Sequence, residues 1–322
     1  MIAILTNKED FTADFLILEL LSRDAAYVRI NTEDFPSKAV LTWSPLDGAH
    51  QGVISLATQS VALSDIRSVW YRRPFPPRHR GASPSASGLF VEEEADAALL
   101  GILSTLSCLW VSRPEHIRAA ELKPFQLKVA AEIGLEIPPT LITNDPEQAL
   151  RFFELHAGDV IYKVLRRGRV DSPEGTKWIF TSPVGRQDVP SFGRVAATPC
   201  LFQRRIEKRS DIRATVIGQE IFAVEIHSQE HPDSKLDWRR VDAHYLRHTP
   251  YQLPLDVAAK CIELVRSLHL EFAAIDLIRT EVNRHVFIEI NPNGQWAWIQ
   301  QLCPEIPLRQ ALANLLITGI SR

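Results

Sequence analysis

A chain of 322 residues is long enough for two or three domains with a sizeable core, which excludes a small scaffold held together by disulfides. Lys and Arg total 36 against 39 Asp and Glu, a net charge of -3 with a pI of about 6.4, so the surface as a whole has no standing attraction for nucleic acid or anionic lipid. At 45% apolar and 23% charged residues the composition is that of a folded protein rather than a disordered one. The cysteines Cys108, Cys200, Cys261 and Cys303 are scattered, show no spacing that suits structural zinc, and read as free thiols in a reducing cytoplasm. The apolar run at residues 2–5 is too short for a secretory signal and no run approaches a membrane span, so a cytoplasmic chain with no membrane partner is expected.

In chain order, residues 2–5 read as a buried strand and residues 13–21 as a helix with apolar positions at Phe15, Leu18 and Leu21. Val69, Trp70 and Tyr71 form another short strand, stopped by Arg72-Arg73-Pro74 and by the proline-rich loop of residues 74–88. An α/β layer of about 110 residues results. A helix follows over residues 90–106, and Ser112-Arg113-Pro114-Glu115 fits a capping box with Pro114 in the first turn. Pro124 opens a further helix that Gly134 can close; a strand after Pro139 and a helix over residues 146–156 come next. Residues 160–164 are a clear strand, and residues 166–191, with their Gly, Arg and Asp, a loop or hairpin. Strands are then expected over residues 201–206, 213–217, 221–226, 272–278 and 286–290, with one amphipathic helix over 257–270. The fold class is mixed α/β (α+β), with no internal repeat.

No phosphate-cradling glycine loop of either common kind is present, so a nucleotide site would need another design. Residues 227–231 match the H-x-x-E-H zinc pattern on paper, but the strand running into His227 and the Pro232-Asp233 that follows argue against the helix needed to align His227 with His231. The strongest signal is AAIDLIRTEVNRHVFIEINPNGQW at residues 273–296. Two apolar strands flank a turn at Thr280 to His285, and a turn centred between Val282 and Asn283 places Asp276 and Glu289 opposite one another on one face. Asn291, two residues further, shares that face. Two carboxylates and an amide in otherwise apolar strands suit a hard divalent cation such as Mg2+; the plain alternative is a hairpin with exposed polar positions.

Asp211 and Arg213 are two apart at the entry of a strand, so both point to one side, where the carboxylate orients a guanidinium fork able to hold a phosphoryl group. An ordinary surface ion pair is the alternative. Lys163 lies mid-strand among Ile161, Tyr162, Val164 and Leu165, and an inward lysine there calls for an anion, unless the strand is an edge facing solvent.

Taken in order, Lys123 at a helix start, Lys163 in VIYKVL, FQRRIEKRSDIRATVIG, DWRR at Asp237 to Arg240, AAID and FIEINPNGQWAW resemble the ATP-grasp superfamily, and within it the microviridin-type graspetide synthetases. VWYRRP at residues 69–74 is similar to the signature of their N-terminal pre-ATP-grasp domain. The resemblance implies an ATP-grasp fold with that α/β domain over residues 1–112, a central subdomain over 113–198 and a C-terminal subdomain with the metal site over 199–322. It implies ATP and Mg2+ as cofactors, with Lys123 and Lys163 on the phosphates, Gln203 and the backbone through Ile206 at adenine, and Glu207 or Lys208 near the ribose. Asp276, Glu289 and Asn291 would hold Mg2+, Arg213 and Arg239 would steady the γ-phosphoryl group, and residues 166–177 would form a lid. The sequence departs from the family at Ser112-Arg113-Pro114 and at residues 299–304. The activity implied is phosphorylation of Asp or Glu side chains of a ribosomally made precursor peptide (leader plus core), closing ester or amide crosslinks, with no nucleic-acid partner and a homodimer allowed. The leader would dock on the central domain. A stand-alone ligase of amino acids or small acids, or one that glutamylates a protein, keeps the same chemistry; an ATP-binding regulator that has lost catalysis is disfavoured by the joint presence of Asp276, Glu289, Asn291, Lys163 and Arg213.

Overall fold

The computed structural model describes residues 1–45, 52–78, 86–166, 168–172 and 175–319. Near the N-terminus, four parallel strands lie in the order Tyr27–Asn31, Ile2–Thr6, Ser68–Tyr71, Leu109–Val111. Alternation sends Ala3, Leu5, Val28, Ile30 and Val69 into one core with Leu99 and Leu103 of the helix Ala86–Ser104, and Ile2, Ile4 and Trp70 into another with the helix Phe11–Ser22. Residues 79–85 of the expected proline-rich loop fall outside the described residues.

Asp10 caps Phe11–Ser22 by accepting a hydrogen bond from the Thr12 amide at 3.2 Å. The helix is where the periodicity places it, but Leu18 and Leu21 stay 59% and 55% exposed while Ala13, Leu16 and Leu20 are buried. Two apolar stripes compete on this helix, and the one that wins meets the C-terminal helix Leu308–Thr318. That contact joins Ile2, Ile4 and Trp70 to Ile217, Phe272, Trp296, Leu312 and Leu316 in a single core, so the first layer and the end of the chain are packed as one body.

The expected capping box at Ser112 is absent. Pro114 is indeed in the first turn of Pro114–Ala120, which makes Arg113 the cap residue, and Arg113 has no side-chain acceptor to offer. The Ser112 hydroxyl instead accepts from the Glu271 amide at 3.0 Å, tying this helix start to the residue just before the distant strand Phe272–Arg279.

An antiparallel sheet in the order Ser182–Val184, Val160–Lys163, Cys200–Arg204, Thr140–Thr143 builds its own core from Phe153, Val160, Phe192 and Phe202 beside the helix Pro146–Leu155. Cys200–Arg204 is thus a strand of this sheet, and the chain crosses to the next sheet after Arg204. Within residues 166–191 the strands Arg169–Ser172 and Gly175–Trp178 pair as a hairpin.

The largest sheet is antiparallel, in the order His248–Tyr251, Glu220–Ile226, Ser210–Ile217, Phe272–Arg279, His285–Asn291. One face carries Ile212, Ala214, Ile275, Leu277, Phe287 and Ile290 into a core with the helices Lys123–Glu132 and Leu255–Ser267. Alternation leaves Asp211, Arg213 and Asp276 to the other face, and an irregularity in the last strand brings Glu289 there as well.

Candidate active site

Both antiparallel sheets contribute to a cavity of about 430 Å3. Pro138, Ile161, Ile206, Ile278 and Ile288 make its walls apolar, which suits a flat heterocycle. Gln203 enters from Cys200–Arg204, donates through Nε2 to Thr140 Oγ1 at 2.9 Å, and keeps a buried Oε1 with no hydrogen-bond partner. An unfilled acceptor in an apolar cavity is matched by an exocyclic amine such as that of adenine. Glu207 and Lys208 line the same wall just beyond the strand end.

The predicted pair does face across the last hairpin, Asp276 opposite Glu289, although by a different route from the one anticipated. Towards the tip Leu277 opposes Phe287 and Ile278 opposes Val286, a register that shifts between Asp276 and Leu277. Ile288 is the extra residue of a bulge. Phe287 and Ile290 therefore both enter the core, while Ile288 and Glu289 in succession both line the cavity.

Around this pair the cations are arranged in contact. Arg213 Nη1 donates to both Asp276 oxygens at 2.8 and 2.9 Å. Glu289 accepts from Lys123 Nζ at 2.5 Å and from Arg239 Nη1 at 2.8 Å. Burial pushes the Asp276 carboxyl above its ordinary value, against the pull of Arg213. Burial acts the same way on Glu289, but Lys123 and Arg239 outweigh it and hold that carboxyl below the usual range. Lys163 lines this cavity and a neighbouring one of about 480 Å3 that also contains Lys123, Arg239, Glu289 and Asn291. Burial brings the Lys163 ammonium down to about 8, with Glu289 opposing and Lys123 and Arg239 adding to the fall.

Asp211 does not orient Arg213 as expected. Its Oδ2 accepts from Lys208 Nζ and from Ser228 Oγ, both at 2.6 Å, so Asp211 braces a lysine of the cavity wall while Asp276, from a neighbouring strand, takes the guanidinium. Sequence reading also missed Asp237 and Gln126. Asp237 is buried, caps the turn Trp238–Arg240, and receives Arg239 Nε at 2.9 Å and Nη2 at 3.0 Å, fixing the guanidinium that reaches Glu289. An Asp immediately before a short basic turn was the available signal. Gln126 exchanges hydrogen bonds with the backbone of Ile290 and so pins the strand end that bears Asn291; nothing local marks it. Residues 227–231 do not form a helix: Ser228–Glu230 is a 3-10 turn, and the ring nitrogens of His227 lie 3.0 Å from Thr249 Oγ1 and from Arg247 Nη2.

The residues fit a magnesium nucleotide. Among the described residues no three His, Cys, Asp or Glu side chains gather into a metal cage, so Asp276, Glu289 and Asn291 make an incomplete oxygen set. Mg2+ is commonly held by one or two carboxylates together with phosphate oxygens, which is the completion this set lacks. Lys123, Lys163, Arg213 and Arg239 supply the positive charge that a polyphosphate needs.

The model of the MvdD pre-ATP grasp domain matches residues 1–118. No curated protein sequence matches the chain. Among solved structures it is similar to a RiPP-associated ATP-grasp ligase of Chryseobacterium gregarium, in complex with ADP and a leader and core peptide, at 30% identity and TM-score 0.93 over 100% of this chain and 97% of that one. Macrocyclase MdnC of Microcystis aeruginosa MRC, bound with precursor peptide MdnA, aligns at 27% identity and TM-score 0.86 over 99% of this chain and 100% of that one. Macrocyclase MdnB of the same organism aligns at 27% identity and TM-score 0.79, covering 99% of each chain. With likeness of this extent from end to end, the chain belongs to the RiPP-associated ATP-grasp ligases.

Proposed function

We propose that this chain is an ATP-dependent carboxylate ligase that activates Asp or Glu side chains of a ribosomally made precursor peptide and closes ester or amide crosslinks within it. The observation that carries the reading is the Asp276–Glu289 pair set among Lys123, Lys163, Arg213 and Arg239 beside an apolar cavity, in a chain of this family.

A carboxylate and a hydroxyl do not condense at neutral pH, so activation comes first. A peptide carboxylate oxygen attacks the γ-phosphorus, the bond to the bridging oxygen breaks, and ADP leaves; a Ser or Thr hydroxyl, or a Lys amine, then attacks the acyl carbon, loses its proton and expels phosphate. Bound Mg2+ would neutralise charge on the phosphate oxygens from its place on Asp276, Glu289 and Asn291. Lys123 and Lys163 hold the phosphates, Gln203 and the backbone at Ile206 meet adenine, and Glu207 and Lys208, the latter braced by Asp211, flank the ribose. Arg213 and Arg239 release their carboxylates as the phosphates arrive and offer their forks to the γ-phosphoryl group.

The leader docks on the central subdomain, and residues 166–177 form the lid. Residues 1–112 form the first domain, and the boundary between the ATP-grasp halves is drawn after Arg204 because Cys200–Arg204 pairs with the central strands. A cytoplasmic enzyme without a nucleic-acid partner accords with the charge balance and with the absence, among the described residues, of a helix long and apolar enough to cross a membrane.

The test takes a short precursor encoded beside the gene, rich in Thr, Ser, Asp and Glu near its C-terminus, with ATP and Mg2+. Loss of one water in mass per ring closed is expected. No loss for any such peptide, with ADP released on addition of a free amino acid, would move the protein to small-molecule ligation.

A further inference from the structure

Arg72 directly follows the strand Ser68–Tyr71, with only 1% of its surface exposed. A guanidinium buried this fully calls for partners on most of its donors. Those partners lie far along the chain in residues 293–295: Nη1 donates to Asn293 O at 2.6 Å and Gly294 O at 3.4 Å, and Nη2 to Gln295 Oε1 at 2.6 Å. Thr12 Oγ1 donates to the same Gln295 Oε1 at 2.6 Å, and Asp10 Oδ2 lies 3.5 Å from Arg72 Nε.

On the other side of this three-residue strap stands Arg213, whose Nη2 donates to Gln295 O at 3.4 Å. A Cβ at Gly294 would fall 2.8 Å from Arg213 Nη2 and 2.4 Å from Ala274 Cβ, so only glycine lets the strap lie this close. Asp276 grips Arg213 through Nη1 alone, and Arg213 Nε is buried without a partner. Once the phosphates draw Arg213 off Asp276, the Gln295 carbonyl is the contact that remains to set where the guanidinium stops.

We propose that Arg72 is a positioning residue for phosphoryl transfer: through residues 293–295 the N-terminal layer fixes the guanidinium of Arg213. The proposal rests on the reading that Arg213 acts at the γ-phosphoryl group. Arg72→Lys keeps a charge beside Asp10 but loses the fork that spans the strap, leaving the strap and Arg213 freer to shift.

Calorimetry with ADP and Mg2+, with and without aluminium fluoride as a mimic of the group in transfer, tests this in the full chain. In Arg72→Lys, affinity for ADP and Mg2+ alone stays within about threefold, while the fluoride complex weakens by about tenfold or more, the scale of a small misplacement of a reacting group. Arg213→Lys weakens the fluoride complex too, and the double variant is no weaker than Arg213→Lys alone, because Arg72 acts through Arg213. Gln295→Leu, which leaves Arg72 beside Asp10, reproduces the selective loss and serves if Arg72→Lys does not fold. Equal weakening with and without fluoride, or additive losses in the double variant, overturns the proposal while leaving the role of Arg213 standing. An unchanged fluoride complex in Arg213→Lys overturns that role and the proposal with it.

Discussion

Glu289 faces Asp276 because one residue, Ile288, is extra in the strand that carries it. The bulge turns two consecutive side chains to the cleft, so a wall of the apolar cavity and a buried carboxylate come from adjacent positions. Both carboxylates serve phosphoryl transfer in the proposed mechanism. Asp276→Asn and Glu289→Gln are each expected to lower peptide-dependent ADP release by about a hundredfold or more, with nucleotide binding in the absence of Mg2+ kept within about tenfold. Normal turnover in both variants would remove the pair from the site.

Glu289 also titrates in a way that can be read from stability. Its carboxyl is held below the ordinary value by Lys123 and Arg239 despite burial, so its contribution is complete above the unfolded value of 4.5 and is lost as pH falls from there through the folded value. At pH 7, Glu289→Gln strands two cations and is expected to cost about 3 kcal/mol. The difference in melting temperature between wild type and variant should shrink as pH is lowered below 4.5. A difference that stays constant down the acid range would show that the pairing with Lys123 and Arg239 is weak in solution.

Lys163 predicts the opposite limb. Burial lowers its ammonium to about 8, so below that pH it is charged and above it neutral. Because the folded value is below the unfolded 10.5, the ligand-free protein gains stability from this group as pH rises from about 8 to 10.5. Nucleotide binding runs the other way: phosphates favour the ammonium, so ATP affinity falls across this range and binding takes up a fraction of a proton near pH 8 that grows as pH rises. Calorimetry in two buffers of different ionisation enthalpy measures the uptake, which Lys163→Arg should abolish.

Gln203 is expected to select the base. Removing its unpartnered Oε1 in Gln203→Leu takes away one neutral hydrogen bond, so ATP should bind about three- to tenfold more weakly. GTP, whose six-position oxygen gains nothing from an acceptor, should bind no more weakly than to wild type. Equal losses for both nucleotides would place Gln203 in packing rather than recognition.

The H-x-x-E-H segment should carry no stoichiometric zinc after purification, since a 3-10 turn separates His227 from His231 and His227 is engaged by Thr249 and Arg247. One equivalent of zinc per chain, lost in His227→Ala, would reverse that reading.

What was legible along the chain was whatever depends on spacing within an element. Alternation put Asp276, Glu289 and Asn291 together, the helix at residues 13–21 and the strands around Lys163 and Arg213 were visible as periods of apolar residues, and the proline after Ile137 marked the approach to a strand. The hairpin was anticipated with its turn centred half a residue too far along and with no bulge, and the two errors cancelled at Asp276 and Glu289.

Choices among equivalent local options were settled at a distance. Phe11–Ser22 offered two apolar stripes, and contact with a helix nearly 300 residues later selected Leu16 over Leu18. Arg213 had a carboxylate two residues away, yet a strand pairs Arg213 with Asp276 and leaves Asp211 to Lys208. Ser112 had the look of a helix cap and became an acceptor for Glu271, while Arg72, which within VWYRRP was read only as the stop of a strand, became the buried link between the N-terminal layer and the cleft. In each case the residue's own chemistry is local, but a hydrogen bond or a packed face has one best partner, and long-range closure of the chain determines which candidate is close enough to be it.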